Sequence, residues 1–443
     1  MKRLRYFWRF TTAFTSKYYI LITLGILFGI TSFIIGPKLI HFFPKNRATY
    51  SIAIIGRFTS TEIPIPIQQK LSIGLTGVDS QGNVVPALAT SWEITNDGKT
   101  YNFTLSDTIH WQDGSKVKSR DINYQFRDAQ ISYPDDHHII FNLKDPFSPL
   151  TTVVSKPIFK SGLLGLGSYK ISSLKKNGNI VTSVTLTPMD RDSTSPKLVY
   201  SFYPSTTNAR AAFKLGQVNA IEDLTDVGDL SNWPHTKLES LIHTDRFVGV
   251  FINNKDQFLG GSSGKNIRQA LAYAIDKSRW KVRAFSPISP DSWAFNPDIK
   301  KYDYSVQKAH DLFSKADKLP PEINITTVPA YLDVAESVQK DWQTLGLKVN
   351  ISAKPELDDN FQVLIFAQAI PQDPDQYNLW HSTQTSNITH YHNPRIDKLL
   401  EDGRKTSDIQ ERKSIYADFQ RFIAEDVPVI FLFHPITYNL IRQ

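Results

Sequence analysis

The 443-residue sequence contains no cysteine and only two methionines. Without a thiol there is no disulfide, no cysteine nucleophile, no thiolate metal site and no lipid-modified N-terminal cysteine. A phosphate-binding P-loop and an H-E-x-x-H zinc motif are absent too. Acid is missing from residues 1–49, which hold eight basic side chains (Lys2, Arg3, Arg5, Arg9, Lys17, Lys38, Lys45 and Arg47). Taking these eight from the formal net charge of +7 leaves −1 for everything from Tyr50 onward. A phosphate-backbone binder needs concentrated lysine and arginine, so a near-neutral main domain excludes nucleic acid as a partner. What is there is ordinary globular material: 41% hydrophobic, 12% aromatic and 21% charged residues. The length predicts two or more lobes with cores of their own.

Tyr18 to Pro37, YYILITLGILFGITSFIIGP, runs twenty residues without a charge. At about 1.5 Å per residue this covers a hydrocarbon core of roughly 30 Å. Five basic residues precede it, and Tyr6, Trp8, Tyr18 and Tyr19 stand as interface aromatics, which orients the N-terminus to the cytoplasm. The expectation is a cytoplasmic basic segment 1–17, a single-pass anchor 18–37 in the cell membrane, a linker 38–49 and an extracytoplasmic main domain. A cleaved signal peptide competes with this reading, but the run is long for one, and Phe33-Ile34-Ile35-Gly36 is bulky where a small-x-small site is needed. No second such run follows, which excludes a channel or permease.

Tyr50 to Ile55 reads as a strand, whereas Thr59 to Lys70, interrupted by two prolines, reads as irregular. From Gly74 the turn chemistry of Asp79 to Asn83, Asn96-Asp97-Gly98 and Gln112-Asp113-Gly114 separates apolar runs into an antiparallel meander. Asp121 to Phe126 reads as a short helical piece and His138 to Leu143 as a strand. Gly167 to Tyr169, Val181 to Thr187 and Leu198 to Tyr203 belong to another sheet, followed by a helix from Thr207 to Leu215 that Gly216 ends. Ile267, Leu271, Ala274 and Ile275 form one helical stripe. Further on, the strand from Ile323, a helix capped by Asp333 with Trp342 on its buried face, and the strand Leu347 to Ala353 make a βαβ unit, hence parallel sheet. Phe361 to Ala367 is then a buried strand.

The stretch DPDQYNLWHST, Asp373 to Thr383, leaves the C-terminal end of that strand, where ligands gather in open α/β sheets. Asp373 and Asp375 either contact a ligand or open a turn and cap a helix Gln376 to Ser382. Tyr377 and Trp380, three apart, present one aromatic face on a helical turn, or else Trp380 is core. Acid/base work by Asp373 and Asp375 is disfavoured, because adjacent loop positions rarely supply opposed environments. His381, His390 and His392 lack the i, i+4 spacing and companion acids of a metal site. Neither a metal nor any other cofactor is expected. Trp293, in a proline-flanked loop, is a second candidate wall.

Several segments together resemble the extracytoplasmic solute-binding proteins of family 5, the peptide and nickel type that feed ABC importers. They include Pro86-Ala87-Leu88-Ala89 with Ser91-Trp92-Glu93, Asp97-Gly98-Lys99-Thr100-Tyr101, Trp111-x-Asp113-Gly114, Gly167-Ser168-Tyr169-Lys170 and Gly216-Gln217-Val218. Ile267-Arg268-Gln269-Ala270-Leu271-x-Tyr273-Ala274-Ile275-Asp276 and Trp342-x-x-Leu345-Gly346-Leu347-x-Val349 follow in the same order. The resemblance implies a two-lobed α/β Venus flytrap of the type II periplasmic-binding-protein kind with an inserted β-rich subdomain. Lobe I would comprise 50–73, 160–246 and 434–443, the subdomain 74–159, and lobe II 247–433. Phe247 to Asn253 and Val427 to Phe433 would be crossing hinge strands, with Phe251 and Asn253 as hinge residues.

By the same resemblance the chain is not an enzyme. It would be a monomeric binding protein that encloses an oligopeptide-like solute between its lobes and presents it to the permease subunits of an ABC transporter. Peptide binders of this kind often carry an aspartate where Ile370 stands here, which leaves Asp373 or Asp375 to meet a peptide's α-amino group. The candidate ligand residues are Trp293, Asp373, Asp375, Tyr377, Trp380 and His381. A surface receptor or sensor without transport and an exported hydrolase are the competing classes.

Overall fold

The computed structural model describes residues 2–40, 47–190, 193–357 and 359–443. It divides into two units, Met1–Thr49 with Thr194–Pro196, and Tyr50–Ser193 with Lys197–Gln443.

In the first unit α1 (Lys2–Ile40) leaves helical geometry at Tyr18 (φ −115°, ψ 18°). Among the described residues no single helix is long and apolar enough to cross a membrane; one bent pair, Thr11–Leu21 with Thr23–Thr31 at 55°, meets the test by length and composition. The span expected over Tyr18 to Pro37 is thus not matched by one helix, and the bent pair covers Thr11 to Thr31 instead. Beside the bend the Thr23 hydroxyl donates to the Tyr19 carbonyl at 2.7 Å. Leu21, Leu24, Leu27, Phe28 and Phe33 are exposed along it. Of the expected linker, residues 41–46 lie outside the described residues.

The second unit opens with β1 (Thr49–Ile55) and α2 (Ile65–Leu71). The helix corrects the reading of Thr59 to Lys70 as irregular. Pro64 is its N-cap and Pro66 lies in the first turn, where a missing N–H goes unnoticed. A subdomain of six strands follows: β2 (Thr76–Val78), β3 (Val84–Pro86), β4 (Ala89–Thr95), β5 (Thr100–Leu105), β6 (Ala129–Ser132) and β7 (His138–Leu143). The first two pair alone and the rest form a sheet in the order β4-β5-β7-β6. Asn96, Asp97 and Gly98 all take positive φ (52°, 51° and 82°), as a tight hairpin needs. No helix forms from Asp121 to Phe126. The Asp121 carboxylate instead accepts the Trp111 indole N–H at 3.1 Å, and Tyr124 and Phe126 turn their rings onto Phe141. A turn of helix, α3 (Leu150–Val153), closes the subdomain.

Next come β8 (Tyr169–Asn177), β9 (Ile180–Pro188), β10 (Lys197–Tyr203), α4 (Thr206–Lys214), β11 (Ala220–Leu224) and β12 (Thr236–Ile242). With β1 and the last strand, β18 (Ile436–Arg442), these strands build a seven-stranded sheet ordered β12-β18-β11-β1-β10-β9-β8. Between β12 and β18 the chain builds a second body from β13 (Arg246–Ile252), α5 (Lys265–Ala274), α6 (Val306–Phe313), β14 (Ile323–Thr327), α7 (Leu332–Gln343), β15 (Val349–Ala353), β16 (Val363–Ala369), α8 (Tyr377–Trp380), α9 (Pro394–Lys405), α10 (Ile409–Asp426) and β17 (Val429–Phe433). Its sheet runs β15-β14-β16-β13-β17, and β14 is parallel to both β15 and β16, as the βαβ reading requires. Helix α7 starts one residue before Asp333, which therefore stands in the first turn, favourable to the helix dipole, and is not the cap.

Candidate functional site

The loop after β16 holds both candidate aspartates, and each is engaged by an arginine from a later helix. Asp373 accepts Arg412 Nη2–H at 2.7 Å and Nη1–H at 3.3 Å, while its Oδ1 also takes the Asp375 backbone N–H at 2.9 Å. Arg412 donates Nε–H to the Gly403 carbonyl at 2.9 Å, and the two side chains are only 7% and 11% exposed. Burial opposes the guanidinium charge, yet Asp373 outweighs it and holds Arg412 above its ordinary pKa. Asp375 accepts Arg404 Nη2–H at 2.6 Å and Nε–H at 3.0 Å, and its other oxygen takes the Tyr377 N–H at 3.1 Å. Each carboxylate thus accepts both a backbone N–H and an arginine guanidinium. The helix beneath is the single turn α8, shorter than the expected Gln376 to Ser382, because His381 turns extended.

Trp380 is 3% exposed, packs with Tyr391, Ile396 and Phe419, and donates its indole N–H to Gln376 Oε1 at 3.2 Å. Its environment is core. His381 is buried as well: Nδ1 meets the Thr383 hydroxyl at 2.9 Å, its ring stacks on Tyr377 at 4.2 Å, and Nε2 has no hydrogen-bond partner although the Glu401 carboxylate is 3.5 Å away. Trp293 is half-buried, donates its backbone N–H to the Gln81 carbonyl of the subdomain at 2.9 Å and lies 5.4 Å from the Arg412 guanidinium.

The structure therefore brings Trp293 and Asp373 together at one cavity between the subdomain and the second lobe and places Tyr377 at another, with Asp375 behind it on Arg404. The smaller, about 220 Å³, is lined by Trp293, Asp373, Arg412, Trp92, Tyr101 and Thr152. The larger, about 670 Å³, is lined by Tyr377, Arg404, Glu401 and by Phe126 and Phe147 of the subdomain. Arg404 and Arg412 escape a sequence reading: they stand 29 and 39 residues from their carboxylates, and no motif marks them. Gly260 to Gly264, GGSSG, has the G-x-S-x-G spacing, and its Ser262 side chain has no hydrogen-bond partner among the described residues. Among the described residues no group of three His, Asp or Glu side chains is arranged to hold a metal.

The chain passes between the two large sheets twice, through His243 to Asp245 and through His434-Pro435. Phe251 and Asn253, expected as hinge residues, stand at the other end of β13. Phe251 is paired on both sides, and the Asn253 amide donates to the Phe361 carbonyl at 2.8 Å. Large φ/ψ changes are absorbed by element-terminal residues, and the two links consist of such residues. There His243 donates its backbone N–H to the Pro435 carbonyl, and its Nε2 contacts the Thr437 hydroxyl at 2.6 Å and Asp223 at 3.0 Å. His434 is buried and donates Nδ1–H to the Arg246 carbonyl at 2.8 Å.

Burial depresses the His434 pKa below its ordinary 6.5, against the opposing pull of Arg246, His243, Asp291 and Asp245. As pH falls below 6.5 the unfolded state takes up a proton that the folded state refuses, so stability drops from there down to the depressed value. Above 6.5 this group contributes no pH dependence. In urea unfolding at pH 5.0 and 7.5, His434→Gln is expected to lose less stability on acidification than wild type; an equal loss would remove His434 from the account.

Comparison with known proteins adds three findings. The model of the bacterial extracellular solute-binding proteins, family 5 Middle, matches residues 83–130 and 128–390. The chain is 22% identical over 455 residues to the oligopeptide-binding protein AppA of Bacillus subtilis (85% of this chain, 83% of that one) and 21% identical over 443 residues to the dipeptide-binding protein of Escherichia coli (81% and 82%). Its fold is similar to NikZ from Campylobacter jejuni in complex with Ni(L-His), with a TM-score of 0.72, 22% identity and coverage of 89% and 94%. It is also similar to AppA from Bacillus subtilis in complex with a nonapeptide, with a TM-score of 0.67, 19% identity and coverage of 90% and 95%.

Proposed function

Because the chain belongs to the bacterial extracellular solute-binding proteins of family 5, a non-enzymatic family of ABC importer components, we propose that it captures an oligopeptide-like solute between its two lobes and presents it to a permease while α1 holds it at the membrane. The observation that carries this reading is the pair of short links between two separately cored α/β bodies, which lets a ligand favour closure by touching both. Relatives named for oligopeptide and dipeptide binding support the solute class.

Asp373 and Asp375 act in this account by holding the β16 loop through Arg412 and Arg404, and Trp293 forms the edge of the same loop's surroundings. Ile370 is buried and donates its N–H to the Asp245 carbonyl at 2.7 Å. Asp245, beside it at the first link, has an exposed carboxylate paired, among the described residues, with the adjacent Arg246 and, at 3.5 Å, with His243. We assign Asp245 as the partner of a peptide's ammonium group. The exposed apolar stretch of α1 together with the preceding basic residues supports anchoring.

The test has two arms. The full chain in detergent is incubated with a mixed peptide library, and retained peptides are released and weighed. Intact peptides are expected at about one per chain, and Asp245→Asn should weaken those with a free N-terminus at least tenfold while leaving their N-acetylated forms unchanged. Cell fractionation compares the full chain with residues 50–443, and only the former should sediment with membranes. Cleaved products would instead indicate a hydrolase, and capture of a nickel chelate in place of peptides would reassign the solute.

A further inference from the structure

The larger cavity between subdomain and second lobe, about 670 Å³, falls inside the range of roughly 300–1,000 Å³ usual for small-molecule sites. It is too small for an extended oligopeptide and too charged for an acyl chain. Its walls come from two bodies. Phe126, Leu143 and Phe147 belong to the subdomain; Tyr377 and Arg404 belong to the second lobe. The Arg404 guanidinium lies 4.0 Å over the Tyr377 ring and 5.4 Å from Phe147, so a flat cation is held between aromatic faces, with Asp375 fixing it from behind.

The rim carries both signs. Arg127 and Lys144 are exposed cations, Asp128 and Asp145 exposed acids, and among the described residues none of the four side chains makes an ion pair or hydrogen bond. Behind the wall the buried His381 leaves Nε2 without a hydrogen-bond partner, 3.5 Å from Glu401, which lines the cavity. Unpaired cations suit a carboxylate, unpaired acids suit an ammonium, and half-buried ring faces suit a planar side chain.

We propose that this cavity is a second ligand site, separate from the space between the lobes, and that it takes a free aromatic amino acid. Because its walls belong to two bodies, an occupant favours the arrangement in which the subdomain and the second lobe are apposed.

The probe is L-4-fluorophenylalanine, followed by fluorine NMR on the full chain in detergent. Saturable broadening is expected, at least tenfold weaker in the double variant Arg127→Met/Lys144→Met and in Phe147→Leu. Two truncated probes, 4-fluorophenethylamine without the carboxylate and 3-(4-fluorophenyl)propionate without the ammonium, should also bind at least tenfold more weakly. Arg127 and Lys144 are exposed, so the double variant folds, and its capture of peptides between the lobes should equal wild type. Absence of saturable binding overturns the proposal. So does binding that the double variant retains in full or that a captured peptide displaces competitively, since either places the probe in the space between the lobes.

Discussion

Arg412→Ala is expected to destabilise the protein by about 3–5 kcal/mol, the usual cost of leaving one member of a buried ion pair without its partner. The pair is buried on both sides, and the loss is compounded: Arg412 also satisfies the Gly403 carbonyl at the end of α9 and faces the Trp293 ring. Against a total stability of roughly 5–15 kcal/mol this is a large fraction. Removing both charges in Asp373→Asn/Arg412→Met should recover much of it, because the dominant cost is a carboxylate stranded out of water and not the lost attraction. Urea unfolding of the two single variants and the double variant measures the coupling. If Arg412→Ala unfolds within about 1 kcal/mol of wild type, the pair does not hold the β16 loop, and the structural role given to Asp373 fails.

The other large effect is expected at Trp342. Its side chain has no exposed surface, it fills the space between α7 and α5, and its indole N–H is bonded to the Leu271 carbonyl at 3.1 Å. Trp342→Ala should cost about 3–5 kcal/mol, through lost burial and the cavity left behind. Trp342→Phe keeps most of the volume but leaves the Leu271 carbonyl unpaired, and about 1–3 kcal/mol is expected for it. The order of the two is the informative result. Equal costs would mean that the hydrogen bond, and not the packing of the βαβ unit, dominates at this position.

The second lobe was legible in the sequence because its elements are signalled locally. Alternation and a Gly346 turn with φ of +81° bracket α7, and the apolar stripe of α5 needs only its own ten residues to be seen. The subdomain's hairpin was legible for the same reason, since Asn96-Asp97-Gly98 encodes its own turn. What escaped depends on partners distant along the chain. DPDQYNLWHST has the composition of a reactive site, yet its carboxylates are neutralised by Arg404 and Arg412, its tryptophan is packed inside and its histidine is covered. Neither arginine is visible from within the stretch. The residues expected as a hinge lie one strand length from the links between the two large sheets. Phe251 sits in β13, a strand that looks like a crossing element, and Asn253 just beyond it, whereas the chain passes between the sheets before the strand's first residue, Arg246, and again after β17.

The central claim is that a solute closes two lobes about the links at His243 to Asp245 and His434-Pro435. A chain without cysteine accepts spin labels at chosen sites with no background labelling, so the distance between the lobes is directly measurable. Ser173→Cys on β8 and Glu336→Cys on α7 place one exposed label on each lobe. Electron–electron double resonance on the full chain, without and with a peptide recovered from the capture experiment, should show the distance distribution shift and narrow on saturation. An unchanged distribution with the peptide demonstrably bound would contradict capture by lobe closure.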